Sequence, residues 1–107
     1  MAVRIASSVF VLALSIALAG CGGSSGNPVA DRGKQVYLSQ CISCHAVDPA
    51  QAGGVGPAVK GSSRELLEAK LLRGAYPPGY KPKRPTQVMP PQPQLANDID
   101  ALAAHLK

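Results

Sequence analysis

The sequence predicts an all-α fold with about three main helices joined by long loops. Three stretches place apolar residues at helical spacing between helix start and stop signals, and no stretch has the alternating pattern of a convincing strand. Core-forming residues are scarce, because the chain has no Trp and its one Phe, Phe10, lies in an N-terminal segment that we expect to be removed. An apolar core of this size rarely supplies more than ~3–5 kcal/mol, so a further interior component is expected.

The first helix has an N-cap signal at Asn27, because Asn suits the cap and Pro28 suits the first helical position. A start one turn later, at Asp31, is also open, and both alternatives end near Gln40. The predicted apolar stripe follows the spacing i, i+4, i+7 and i+8. Its members are Val29, Gly33, Val36 and Tyr37.

The second helix is predicted to open at Ser62, with a capping box to Glu65, and to end at Gly74. Its inward residues are three leucines, Leu66, Leu67 and Leu71. The third helix is predicted over 97–106. Its stripe consists of Ile99, Leu102 and Leu106. The loop at residues 75–94 holds seven of the ten prolines, and a loop of this length is expected only where it serves a site.

The N-terminal segment has the pattern of an export signal. An apolar stretch of 15 residues, 5–19, follows Arg4 and is shorter than the ~20 residues of a membrane-spanning helix. It ends in Leu-Ala-Gly-Cys at residues 18–21, which resembles the lipobox of bacterial lipoproteins. That resemblance implies a signal peptide in residues 1–20, a lipidated Cys21 and a flexible tether at residues 21–30. Gly22 resembles the pattern for outer-membrane sorting, so a periplasm-facing anchor in the outer membrane is slightly favoured.

The other two cysteines lie in the motif Cys41-Ile42-Ser43-Cys44-His45, the C-x-x-C-H signature of covalent c-type haem attachment. On a helical turn, residues i and i+3 point the same way, so both thiols can add to the two vinyl groups of one haem. His45 is then placed beneath the ring as an iron ligand. The motif therefore predicts one covalent haem c with its iron.

Two other uses of a Cys pair fit the sequence less well than haem attachment. A thioredoxin-like redox dithiol requires a βαβ context, and the sequence offers no convincing strand. A zinc site requires a second pair of Cys or His ligands at suitable spacing, and none is found. Haem attachment is the interpretation that the sequence favours.

Features around the motif occur in a specific order: Gly33 and Tyr37 before it, Gly56-Pro57 and Met89-Pro90 after it, and a closing short helix. With these features, residues 31–107 resemble a bacterial monohaem class I cytochrome c. The resemblance implies a small cytochrome c fold around one haem, with the first and last helices crossing at Gly33 and Tyr37. It also implies that the Pro57 carbonyl accepts a hydrogen bond from the iron-bound histidine.

Met89 is the predicted sixth ligand, because His/Met ligation is the usual cytochrome c arrangement and no other Met lies within residues 21–107. The alternative is that its side chain only fills a gap in a small core. His105 is a competing ligand, which would give a bis-His haem. In the resembling family this position usually carries an aromatic, so His105 is interpreted instead as a planar side chain packed against the first helix.

These features predict an electron carrier, not an enzyme, acting between periplasmic or membrane redox proteins. Lys81, Lys83 and Arg84 form a basic cluster that either steers an acidic docking face or is an ordinary solvated loop. The alternative function is a haem enzyme or gas sensor, peroxidase-like or NO-binding, with a displaceable sixth ligand, but no distal Arg/His pair is recognisable. No nucleic-acid motif is present, and a monomer is expected.

Overall fold

The computed structural model describes residues 26–107 as three α-helices and one 3-10 helix connected by loops. In order, these are α1 (Pro28–Gln40), α2 (Arg64–Arg73), the 3-10 helix (Pro93–Asp98) and α3 (Ile99–His105). This part of the chain contains no strand, which confirms the all-α prediction. The predicted signal peptide and half of the predicted tether, residues 21–25 with Cys21, lie outside the described residues. No helix within residues 26–107 is long and apolar enough to cross a membrane.

Local capping chemistry determines where α1 begins and where α2 ends. The side chain of Asn27 accepts hydrogen bonds from the backbone N–H groups of Val29 and Ala30, at 3.1 and 3.2 Å, so the earlier of the two predicted starts is correct. Gly74 ends α2 with a positive φ of 64°, a conformation that glycine adopts without a side-chain penalty.

The predicted start of α2 was wrong by one residue. Ser63 is the N-cap, and its Oγ accepts from the backbone N–H of Leu66 at 3.1 Å. Ser62 instead donates its hydroxyl to the carbonyl of Val59 at 2.6 Å. Ser63 has the extended backbone that an N-cap requires, with φ −73° and ψ 160°.

The third predicted helix is two consecutive elements. Residues Pro93–Asp98 form the 3-10 helix, and the α-helical pattern starts only at Ile99, so the predicted start at Asn97 was wrong. The N–H of Gln92 donates to the carbonyl of Leu71 at 2.6 Å, which ties the entry of the 3-10 helix to the end of α2. The predicted stripe is confirmed, since Ile99, Leu102 and Leu106 are all buried.

The crossing of α1 and α3 depends on a glycine. A Cβ added at Gly33 would collide with the backbone oxygen of Ala101, so no larger residue fits between the two helices. One turn later Tyr37 is buried, and its ring packs against that of His105 with centroids 5.5 Å apart. The expected crossing at Gly33 and Tyr37 is therefore confirmed. Val29, also assigned to this stripe, is half exposed, because the buried face of α1 begins at Gly33.

A single apolar cluster joins the helices on the side where α1 and α3 cross. Its buried members are Val36, Tyr37, Leu71, Leu95, Ile99, Leu102 and Leu106. Four partly buried side chains pack against this cluster: Cys41, Val59, Leu67 and Met89. All four also line a cavity beside the core, so the core supports the wall of the candidate site.

Candidate haem site

The cavity brings together residues that are far apart in the sequence. Five of the predicted site residues line it: Cys41, Cys44, His45, Pro57 and Met89. Much of the remaining wall is aliphatic and includes Leu66 and Leu67 of α2, two of the leucines predicted to point inward. The predicted attachment motif, the histidine and the methionine therefore meet at one largely apolar cavity.

The attachment motif forms a turn that continues from α1. The N–H of Cys41 donates to the carbonyl of Tyr37 at 2.9 Å, and the N–H of His45 donates to the carbonyl of Cys41 at 3.0 Å. Both cysteines are free thiols; Cys41 is partly buried and Cys44 is exposed. Burial raises the pKa of the Cys41 thiol to about 11, so it is protonated at neutral pH. Neither sulfur is committed to a disulfide, and both are available for thioether bonds.

His45 is buried and held by one strong contact. Its Nδ1 lies 2.8 Å from the carbonyl oxygen of Pro57. Since a carbonyl oxygen can only accept, Nδ1 carries the proton, and the neutral ring has an unprotonated Nε2. The contact therefore leaves Nε2 as the nitrogen that can bind a metal and restricts the rotation of the ring.

Two glycines allow the loop at residues 53–57 to lie directly against the motif. A Cβ at Gly56 would come within 2.9 Å of His45 Nε2 and still closer to other ring atoms. A Cβ at Gly53 would collide with the backbone oxygen of Cys44. The N–H of Gly56 also donates to that same oxygen at 2.9 Å. Neither close approach was predicted from the sequence, in which Gly56 was noted only as part of the Gly56-Pro57 pair.

Met89 reaches the cavity from the Pro-rich loop. It is partly buried, packs against the core cluster and lines the same cavity as His45. Residues 75–92 of this loop contain no helix or strand, in keeping with their proline content. Two cations of the loop, Lys83 and Arg84, also line the cavity. The loop thus brings a thioether and two positive charges to the site.

An aromatic wall was not predicted as a unit. Tyr76 and Tyr80 stack with ring centroids 5.3 Å apart and planes 13° from parallel, and both line the cavity. Lys70 of α2 places its Nζ 4.3 Å from the centroid of the Tyr76 ring, a cation–π contact. The two tyrosines flank Pro-Pro-Gly, a turn sequence that could have indicated their proximity.

His105, the competing ligand, does not line the cavity. Its ring lies against Tyr37 at the helix crossing, as in the packing interpretation. Burial and, secondarily, the charge of Lys34 lower the pKa of His105, which favours the neutral imidazole. Within residues 26–107, no three His, Cys, Asp or Glu side chains cluster as a set of metal ligands.

The side chains at the cavity match the chemistry of a covalent haem. Two free thiols, at Cys41 and Cys44, can bond the vinyl groups. An imidazole with a free Nε2, from His45, and a thioether, from Met89, are ligands that haem iron accepts. The mostly apolar lining suits the faces of a porphyrin.

The comparison with protein families agrees with this site. The model of the family described as cytochrome c oxidase, cbb3-type, subunit III matches residues 28–106, which include all four helical elements and every residue assigned to the cavity. No match among curated proteins or solved structures reaches significance. The chain belongs to the family of cytochrome c oxidase, cbb3-type, subunit III, and its domain is a c-type cytochrome, an electron-transfer haem protein with covalently bound haem c and iron.

Proposed function

We propose that this chain is a membrane-anchored one-electron carrier in which His45 and Met89 are the axial ligands of the haem iron. The observation that carries the proposal is that both side chains line one apolar cavity together with Cys41 and Cys44. The haem supplies the redox chemistry by cycling between Fe(II) and Fe(III).

The contribution of the protein is ligation, orientation and exclusion of water. The bond from His45 to Pro57 fixes the imidazole and increases its basicity as a ligand, which lowers the reduction potential. A thioether ligand at Met89 raises the potential, as does an apolar surround that disfavours the extra charge of Fe(III). Such opposing effects would let the domain hold a defined potential without binding any substrate.

Replacing Met89 tests the ligand assignment. In Met89→Ala we expect the weak long-wavelength thioether-to-iron absorption to disappear and the reduction potential to fall by on the order of 100 mV, within the ~0.8 V range that axial ligands control. Val88→Ala is the matched control, because Val88 also lines the cavity but is 63% exposed and has no sulfur. A Met89→Ala spectrum and potential equal to those of the unmodified protein would refute the assignment. Rapid CO or NO binding by the unmodified protein would favour the enzyme or sensor alternative.

The proposed partners are membrane or periplasmic redox proteins with an acidic docking face. The family is named for an oxidase subunit, which supports partners of this class. Val55 and Val88 are exposed hydrophobic residues at the cavity, and Lys83 and Arg84 lie at the same cavity. Exposed valines with positive side chains at the same cavity suit a partner whose contact surface has an acidic rim. We expect the second-order rate constant for reduction by an acidic redox protein to decrease as the ionic strength increases. At a fixed low ionic strength, this rate constant should be lower for Lys81→Glu than for the unmodified protein.

The proposed lipid anchor rests on the resemblance of residues 18–21 to a lipobox, with acylation at Cys21. The outer membrane is slightly favoured, and we propose that the domain faces the periplasm as a monomer. Cell fractionation tests the anchor. The unmodified protein is expected in the membrane fraction and Cys21→Ala in the soluble periplasmic fraction, because one substitution removes the site of acylation. Recovery of Cys21→Ala in the membrane fraction would contradict a lipid anchor at this residue.

A further inference from the structure

Two side chains of the Pro-rich loop bind the backbone segment that contacts His45. Lys83 donates from Nζ to the carbonyl of Ala58 at 2.7 Å. Arg84 donates from Nη2 to the carbonyl of Gly56 at 3.4 Å. These hydrogen bonds connect residues separated by 25 and 28 positions in the chain. They join the loop that carries Met89 to the loop that carries Pro57.

The acceptors are consecutive. The carbonyls of Gly56, Pro57 and Ala58 accept in turn from Arg84, His45 and Lys83. The central carbonyl therefore orients the histidine, while the carbonyls on both sides of it hold the loop of the methionine. The segment Gly56–Ala58 thus binds both the proposed ligand His45 and the loop that carries the other proposed ligand, Met89.

Apart from the packing of Met89 against the core, few contacts of hydrogen-bonding type hold the loop near this residue. Its backbone is anchored at its two ends, where Ala75 donates to Ala69 at 3.1 Å and Gln92 donates to Leu71 at 2.6 Å. In the described part of the chain, no backbone–backbone hydrogen bond involves residues 81–91. The side chains of Lys83 and Arg84 provide the hydrogen bonds of this stretch to the rest of the protein.

We propose that Lys83 and Arg84 are positioning residues that fasten the Met89 loop to the Gly56–Ala58 segment and so oppose displacement of Met89 from the iron. This inference rests on the proposed His45/Met89 ligation. Without the two side-chain bonds, Met89 would be held by its packing against the core and by a loop hydrogen-bonded only at its ends, and its open conformations would be more populated. Because both acceptors are neutral carbonyls, the two cations also keep their charge for docking.

Competition with imidazole for the ferric iron of the holoprotein at pH 7 measures this effect. A single hydrogen bond of this kind is expected to change the open population by about threefold to tenfold, so Lys83→Ala should bind imidazole about threefold to tenfold more tightly. The double variant Lys83→Ala/Arg84→Ala should bind it more tightly still, and Lys83→Arg should remain near the unmodified value.

Lys81→Ala is the matched control. It removes the same charge two residues away, but Lys81 makes no hydrogen bond or ion pair within residues 26–107. We expect its imidazole affinity to stay within about twofold of the unmodified protein. Backbone NMR order parameters of residues 86–89 give a second readout, which should fall in Lys83→Ala and not in Lys81→Ala.

The outcomes separate the two proposals. If the unmodified protein has the thioether-to-iron absorption but Lys83→Ala and Lys81→Ala behave alike in both assays, the positioning role is refuted and the ligation stands. If the unmodified protein lacks that absorption, the ligation is refuted, and the inference fails with it.

Discussion

Adding one methyl group at Gly56 should disturb the proposed iron ligand directly. In Gly56→Ala the new Cβ would lie within 2.9 Å of His45 Nε2 and closer to its neighbours in the ring, so either the ring or the loop must move. The ring cannot move freely, because its Nδ1 is bound to Pro57, the residue that follows the substituted one. In this variant, relieving the overlap of the new Cβ with the His45 ring would require stretching or breaking the hydrogen bond from His45 to Pro57.

The expected cost follows from these two contacts. Forcing an extra methyl group into a packed interior costs roughly 1–3 kcal/mol. Weakening the bond between His45 and Pro57 adds about 0.5–1.5 kcal/mol. We therefore expect Gly56→Ala to lower the free energy of unfolding by about 2–4 kcal/mol relative to a Gly→Ala substitution in open space. At about 4–8 °C per kcal/mol for a domain of this size, the change in Tm should be easily measured.

Gly54→Ala is the control in the same loop, because a Cβ at Gly54 meets nothing within 4 Å and its φ is not positive. Both variants reduce the freedom of the unfolded chain equally, so this entropic gain cancels in the comparison. The assay is urea unfolding of the ferric holoproteins, followed by the circular dichroism of the haem. Unfolding free energies of the two variants that agree within about 0.5 kcal/mol would refute the packing argument.

Two further predictions concern a helix cap and a buried histidine. Ser63→Ala should cost about 1 kcal/mol in urea unfolding because it removes the cap of the Leu66 N–H. Ser62→Ala loses only the bond to Val59, so the Leu66 amide should exchange faster in Ser63→Ala and not in Ser62→Ala; equal exchange in the two variants would contradict the assignment. His105 has a lowered pKa, from burial and then Lys34, so the unfolded state binds more protons and stability falls as pH drops below ~6.5. The loss levels off below the folded-state pKa. His105→Phe should lack this acid-side slope; an unchanged slope would contradict it.

Elements controlled by local chemistry could be predicted from the sequence. The cap at Asn27 and the stop at Gly74 depend only on the residues at those positions, and both were correct. The helix crossing was also accessible, because Gly33 and Tyr37 stand where the resemblance to class I cytochromes c requires them.

Elements controlled by distant contacts could not be predicted. The pairing of Ser62 with Glu65 favoured the wrong one of two adjacent serines; Ser63 is the cap in a chain path in which Gly61 donates to the carbonyl of Leu106. The 3-10 helix before α3 likewise begins at a contact between residues distant in sequence, Gln92 and Leu71. Neither the Gly61–Leu106 contact nor the Gln92–Leu71 contact can be inferred from the residues near it in the sequence.

The candidate site shows the same division. Cys41, Cys44 and His45 form a contiguous motif, so their chemistry could be inferred without a structure. The bonds of Lys83 and Arg84 could not, because a cation in a solvated loop and a cation bound to a distant carbonyl have the same sequence signature. From the sequence, the charges of Lys83 and Arg84 suggested only a docking surface. Their proposed positioning role depends on hydrogen bonds that are visible only in the structure.

The most direct test of the central proposal is the visible absorption spectrum of the holoprotein, recorded in the oxidised and reduced states. Ligation by His45 and Met89 predicts a low-spin spectrum with the weak long-wavelength thioether-to-iron absorption in the oxidised state. A low-spin spectrum without that absorption would contradict Met89 as the ligand. A high-spin spectrum that shifts on addition of CO or NO would contradict the electron-carrier proposal and favour an open haem site.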